Sequence, residues 1–164
     1  MRSVFFGATC VFAAALVASV AVNAQQKAPR APLSASQLRP APAGALPPLP
    51  QIPFEPVRPM PVVQQVYEFA ARHPEVLQYV PCYCGCEQLG HKGNHDCFVR
   101  ERAANGDVVA WDEHGTECTV CIDVATRARQ LHAEGKSVAD IRSTIEKDYA
   151  GRMTNKTPTP HPHQ

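Results

Sequence analysis

The stretch Pro81-Cys82-Tyr83-Cys84-Gly85-Cys86 constrains this chain most, because it places a thiol at every second position. In an extended backbone, alternate side chains point the same way and lie roughly 6.5–7 Å apart. Gly85 lets the chain bend and bring the sulfur atoms closer, whereas a helix would spread the thiols over different faces. Disulfides within so short a stretch would close small, strained rings. The spacing therefore predicts a strand or loop whose thiols suit a soft metal ion better than cystine.

Three further cysteines extend this pattern. Cys118 and Cys121 form a CxxC in the first turn of a predicted helix, where the helix dipole favours thiolate. A CxxC combined with a second thiol cluster is typical of a two-part metal site. Because Ile122 follows the CxxC where a histidine would be needed, the motif is not a c-type haem site. The predicted ligands are six cysteines and two histidines near them: Cys82, Cys84, Cys86, Cys97, Cys118, Cys121, His91 and His114. Each histidine could bind the metal directly or donate a hydrogen bond to a residue that binds it. The alternative is that each histidine only supports a loop or caps a helix.

The two ends of the chain differ from its middle in composition. Residues 1–24 have the pattern of a cleaved secretory signal peptide, with Arg2, an apolar run and a small-residue cleavage site. An uncleaved membrane anchor is the alternative. Residues 25–61 hold 11 of the 16 prolines and are predicted to form a disordered, semi-rigid linker. Residues 153–164, rich in Thr, Pro and His, are predicted to be a disordered tail. Cys10 lies within the signal peptide and is not expected to take part in the site.

The folded domain is predicted to span residues 62–152 and to be mainly α. Apolar spacing predicts a helix over 62–72, a short helix from Pro74, and a long helix from Thr116 or Glu117 to about Glu134. Ser137 is the predicted N-cap of a last helix, with Asp140 as its capping-box partner. The domain is predicted to carry a Cys-rich loop and to follow a Pro-rich arm. A domain this small gains stability from a bound metal or from disulfides.

The segment after Cys97 allows two interpretations. Asn105-Gly106 is a strong hairpin signal between two apolar runs and predicts a short β-hairpin. A helical turn over residues 100–104 is the alternative, since Glu, Arg and Ala favour helix.

The motif Pro81-Cys82-Tyr83-Cys84-Gly85-Cys86 resembles the signature of the PCYCGC-motif family of bacterial exported proteins and lipoproteins. Shorter pieces continue the likeness in order: Gly90-His91-Lys92, Asp96-Cys97-Phe98-Val99, Trp111-Asp112-Glu113-His114, Cys118-Thr119-Val120-Cys121, Gly135-Lys136-Ser137 and Ile141-Arg142. The resemblance covers about residues 62–152 and implies an exported protein that is presumed to bind metal.

Three functions compete on this evidence. A thiolate metal-binding protein is favoured, and Cu(I) or Zn²⁺ are the expected ions, with a toxic soft metal such as mercury as a further alternative. An even number of cysteines in an exported domain also fits a disulfide-stapled binding module. The third is a thiol–disulfide oxidoreductase using Cys118 and Cys121, although no βαβ pattern surrounds them.

The expected setting is the cell envelope, and the expected protein is not an enzyme. Export predicts a periplasmic or extracellular location, with membrane contact only if the signal sequence is uncleaved. Another envelope metal-handling protein is the expected partner. A formal net charge of +1 gives no reason to expect nucleic-acid binding. The sequence also lacks a Ser-His-Asp set, a Gly-rich phosphate loop and paired catalytic carboxylates.

Overall fold

A computed structural model describes residues 30–40, 46–153 and 155–162. The described residues form five α-helices and one antiparallel hairpin, which confirms the mainly α fold. The elements are α1 (Met60–Arg72), α2 (Pro74–Leu77), β1 (Val99–Arg102), β2 (Val108–Trp111), α3 (His114–Glu117), α4 (Thr119–Ala133) and α5 (Val138–Tyr149). Two 3₁₀ turns, Cys86–Leu89 and Asn94–Cys97, lie between α2 and β1. None of the helices among the described residues has the length and apolar composition of a membrane span. The predicted signal peptide lies outside the described residues.

The core forms where α4 packs against α1 on one side and α5 on the other. The buried stripe of α1 contains Val63, Val66, Tyr67 and Ala70, which recur at the helical period. Tyr67 joins this stripe to the hairpin, because its ring meets those of Phe98 and Trp111 edge to face, at 5.2 and 5.5 Å. These contacts pack β1 and β2 against α1.

The hairpin confirms one of the two interpretations of the segment after Cys97. The β1 and β2 strands pair antiparallel, with Val99 opposite Trp111 and Arg102 opposite Val108. The connecting turn is held by a hydrogen bond from the Gly106 N–H to the Ala103 carbonyl. Gly106 has φ +95°, a conformation that glycine adopts without strain. The alternative helical turn over residues 100–104 is wrong.

The long helix predicted to start at Thr116 or Glu117 is interrupted. The short helix α3 ends at Glu117, Cys118 adopts an extended conformation, and α4 begins at Thr119. The Cys118 Sγ accepts a hydrogen bond from the Cys121 N–H at 3.3 Å, so Cys118 is the N-cap of α4. The predicted cap of the last helix is confirmed, since the Ser137 Oγ accepts from the Asp140 N–H.

Residues 155–162, which the sequence predicts to be a disordered tail, pack on the domain in the structure. Thr157 and Thr159 are buried. The Thr157 N–H donates to the Cys82 carbonyl at 2.9 Å, and its hydroxyl accepts from the Cys82 N–H at 2.9 Å. The Arg142 guanidinium donates to the carbonyls of Thr159 and Pro160. The tail therefore covers the thiol stretch with polar contacts rather than with apolar side chains.

The proline-rich segment also contacts the domain where it is described. Arg30 donates to the carbonyls of Asp96 and Val99 at 2.9 and 3.0 Å, and it pairs with the Asp112 carboxylate. Arg58 makes a two-pronged ion pair with Asp123. These contacts differ from the expected free spacer, because arginine side chains tie the segment to carbonyls and carboxylates of the domain.

Candidate metal centre

The six predicted cysteines converge on one site in the described part of the chain, and all six are free thiols. Their sulfur atoms form a continuous series of contacts. Cys82 lies 3.3 Å from Cys84, 3.4 Å from Cys121 and 3.5 Å from Cys97. Cys84 lies 3.5 Å from Cys121, Cys121 lies 2.7 Å from Cys118, and Cys86 lies 3.9 Å from Cys97. In a tetrahedral site with metal–sulfur bonds of about 2.3 Å, sulfur atoms are about 3.8 Å apart, so the separations of 3.3–3.9 Å suit a shared metal site, whereas Cys118 and Cys121 would have to move apart on binding an ion.

The thiol stretch reaches this site through a bend at Gly85. Gly85 has φ +79°, and the chain turns there from Cys84 into the 3₁₀ turn that starts at Cys86. Cys82 is fixed on the other side of the bend by its two backbone hydrogen bonds to Thr157. The stretch is thus a bent loop, as its sequence predicted, and the bend directs the three thiols toward α4.

Both predicted histidines lie against the cluster, and their rings meet edge to face with centroids 5.5 Å apart. The His114 Nε2 is 3.4 Å from the Cys84 Sγ, and the His91 Nδ1 is 3.6 Å from the Cys97 Sγ. His95 lies elsewhere, because its Nε2 accepts from the Arg102 guanidinium at 3.1 Å. The cluster therefore consists of six thiols with two adjacent imidazoles beside them.

Four groups of ligand atoms within this cluster are close enough to hold a metal ion, since the atoms of each lie within 4.8 Å of one another. They are Cys84/His114/Cys118/Cys121, Cys82/Cys97/Cys121, Cys82/Cys84/Cys86 and Cys86/His91/Cys97. The groups overlap, so most of the sulfur atoms belong to two of them. A thiolate shared between two groups is in a position to bridge two ions.

Burial and charge differ along the cluster. Cys82, Cys86, Cys97 and Cys121 are buried, whereas Cys84 and Cys118 are half-buried. Hydrogen bonding with Cys118 and then Cys84 raises the pKa of His114 to about 10. Contacts with Cys118 and Cys121 lower the pKa of Cys84, and contact with Cys121 lowers the pKa of Cys82 to about 4. Burial raises the pKa of Cys97. The half-exposed end therefore combines thiolate with imidazolium, and an arriving cation would displace the imidazolium proton.

A comparison with protein families matches residues 49–162 to the family described as a protein of unknown function with PCYCGC motif. This chain belongs to the PCYCGC family. No curated protein and no solved structure matches the chain. Within the PCYCGC motif, the structure gives each cysteine a place in one cluster that could hold a metal ion.

Sequence reasoning missed one polar residue beside the cluster. Asp112 is buried, and its Oδ2 lies 3.9 Å from the Nε2 of His91, on the ring edge opposite Cys97. Its other oxygen accepts from the His114 N–H at 3.0 Å. Burial opposes ionisation of Asp112, but the hydrogen bonds from His114 and Arg30 outweigh it and lower its pKa. At 3.9 Å the carboxylate makes no hydrogen bond to the His91 ring, so it acts on this imidazole through its charge.

Proposed function

We propose that this protein binds Cu(I) in a multinuclear thiolate cluster, and that it buffers or delivers copper at the cell envelope. The observation that carries this proposal is the unbroken series of six sulfur atoms, in which neighbours lie 2.7–3.9 Å apart. Thiolate is a soft ligand and selects soft or borderline ions such as Cu(I) and Zn²⁺.

The number of thiols favours Cu(I) over Zn²⁺. A Zn²⁺ ion is satisfied by four ligands, so one zinc site would leave thiols unused. Cu(I) accepts low coordination numbers and bridging thiolates, and the overlapping groups of ligand atoms suit such bridges. A structural Zn²⁺ ion is the second choice of metal.

The accessible end of the cluster suits the transfer of an ion. Cys84, His114 and Cys118 are half-buried, whereas the thiols at the other end are buried. An ion could therefore enter and leave at this end, while the buried thiols hold further ions away from water. The predicted signal peptide supports a place of action outside the cytoplasm, where a soft-metal carrier would meet other envelope metal-handling proteins.

A second candidate function, thiol–disulfide exchange, is favoured by one observation. The Cys118 and Cys121 sulfur atoms are the closest pair of the cluster, at 2.7 Å, and they lie at the N-terminus of α4. A reduction potential for this pair, measured against glutathione buffers, tests that candidate. A pair that stays reduced whenever Cu(I) is bound and reduces no disulfide substrate would exclude it.

An anaerobic titration of the reduced protein with Cu(I), in competition with a chromogenic Cu(I) chelator, tests the proposed function. We expect tight uptake of more than one Cu(I) per chain. Cys121→Ser should lower both the copper content and the thermal stability of the loaded protein, because metal affinity is coupled to folding. Cys10→Ser is the matched control and should change neither. Isolation of the protein with three disulfides, no free thiols and no metal would contradict the proposal.

A further inference from the structure

Three residues from distant parts of the sequence meet at a second place in the described structure. His73 links α1 to α2, Glu75 lies in the first turn of α2, and His132 lies in the last turn of α4. One ligand atom of each lies within 4.8 Å of the others. The His73 and His132 rings are 4.4 Å apart between centroids. No member of this trio belongs to the thiol groups described above.

The trio is held by its surroundings rather than by a mobile loop. The ring of Phe69 packs against both histidines, with centroids at 4.9 and 5.6 Å. The His73 N–H donates to the Phe69 carbonyl at 2.8 Å, which fixes the end of α1. The buried Arg102 guanidinium donates to the carbonyls of the two alanines before Arg72, Ala70 and Ala71, at 2.7 and 2.8 Å. The three side chains therefore start from positions that need little ordering to bind a ligand.

The carboxylate of Glu75 gives the reason to expect a cation here. Its Oε1 lies 3.0 Å from the His73 Nδ1, while its Oε2 is buried and has no hydrogen-bond partner among the described residues. A buried carboxylate oxygen without a partner costs free energy. A bound cation would satisfy it, and the half-buried side chains of the trio leave a path from solvent.

We propose that His73, Glu75 and His132 form a second metal site, which takes a borderline divalent ion such as Zn²⁺. Two imidazoles and one carboxylate are ligands that Zn²⁺ binds well, and three protein ligands leave a fourth position for water. The site contains no sulfur, so it lacks the soft ligand that selects Cu(I). A bound ion would connect the junction of α1 and α2 to the end of α4 and would stabilise the folded state.

A titration of the whole reduced protein with Co²⁺ under anaerobic conditions tests this site. Co²⁺ stands in for Zn²⁺, and its spectrum distinguishes thiolate ligands, which give sulfur-to-cobalt charge-transfer bands, from nitrogen and oxygen ligands, which do not. We expect one equivalent of Co²⁺ to bind without such bands, in addition to any Co²⁺ that the thiol cluster binds with them. His132→Ala should abolish it, and Glu75→Gln, which keeps the side-chain shape, should weaken it by about tenfold or more. His161→Ala, in the exposed part of the tail, is the matched control.

Two further readouts keep the outcome clear. The imidazole NMR signals of His73 and His132 should shift or broaden with this equivalent of metal, while circular dichroism confirms that each variant is folded. The charge-transfer bands report separately on the thiol cluster, so the two proposals fail independently. Equal Co²⁺ binding outside the thiols by the wild type, His132→Ala and Glu75→Gln would overturn the second site. So would an absence of saturable binding below millimolar Co²⁺.

Discussion

The contact between the tail and the thiol stretch can be tested by Thr157→Val. This change keeps the shape of the side chain and removes its hydroxyl, which accepts from the Cys82 N–H at 2.9 Å. Thr157 is 1% exposed, so water cannot replace the lost acceptor. The hydroxyl also contacts that of Thr159, but Thr159 keeps its bond to the Lys92 carbonyl at 2.6 Å. The perturbation therefore leaves one buried N–H without its side-chain acceptor.

An unsatisfied buried donor costs about 1–3 kcal/mol, and this sets the expected loss in the free energy of unfolding. The assay is urea unfolding of the reduced, metal-free protein under anaerobic conditions. With an m-value of about 2 kcal/mol/M, the midpoint should fall by about 0.5–1.5 M. Thr144→Val on the half-buried part of α5 is the matched control, and its change should stay within about 0.5 kcal/mol. If both variants unfold at the same urea concentration, the Thr157 hydroxyl does not support Cys82 and the tail does not pack there.

Two other substitutions probe the support of the cluster. A Cβ at Gly115 would lie 2.5 Å from the Phe98 ring. We therefore expect Gly115→Ala to lower the free energy of unfolding by about 1–3 kcal/mol and to displace His114. A thermal midpoint equal to that of the wild type would contradict this packing. Glu146 pairs with Lys156 at 2.6 Å. Burial opposes ionisation of Glu146, but the pairing outweighs it and lowers its pKa. The resulting stability is present above the unfolded pKa of about 4.3 and is lost as pH falls through the lower folded value. Glu146→Gln should therefore be less stable by up to about 1 kcal/mol at pH 7, and the difference should shrink as the pH falls through the lowered folded pKa of Glu146. A difference that is constant with pH would refute the assignment.

The sequence was enough to predict the cluster because its residues carry strong local signals. Alternate thiols, a flexible Gly85 and a CxxC at a helix start each restrict the backbone, and together they cover five of the six thiols. Ser137 with Asp140 is a similar local signal, and the structure confirms it. These features depend on residues within a few positions of one another.

The remaining features depend on contacts that leave no periodic pattern. Thr157 packs through its hydroxyl and backbone, so the tail carries no apolar stripe that would announce its burial. Cysteine is not a usual N-cap residue, so the break at Cys118 was hidden inside a continuous helical pattern. His73 and His132 are far apart in the sequence, and only the packing of α1 against α4 brings them together.

In the proposed cluster, the thiols of the PCYCGC protein, and not other ligands, hold several Cu(I) ions together. X-ray absorption at the copper K edge, on the whole protein loaded anaerobically with Cu(I), tests this most directly. We expect the copper ions to be surrounded mainly by sulfur, together with copper–copper scattering from ions that share bridging thiolates. A first shell of nitrogen and oxygen, or a sulfur shell around isolated copper ions with no copper–copper scattering, would contradict it.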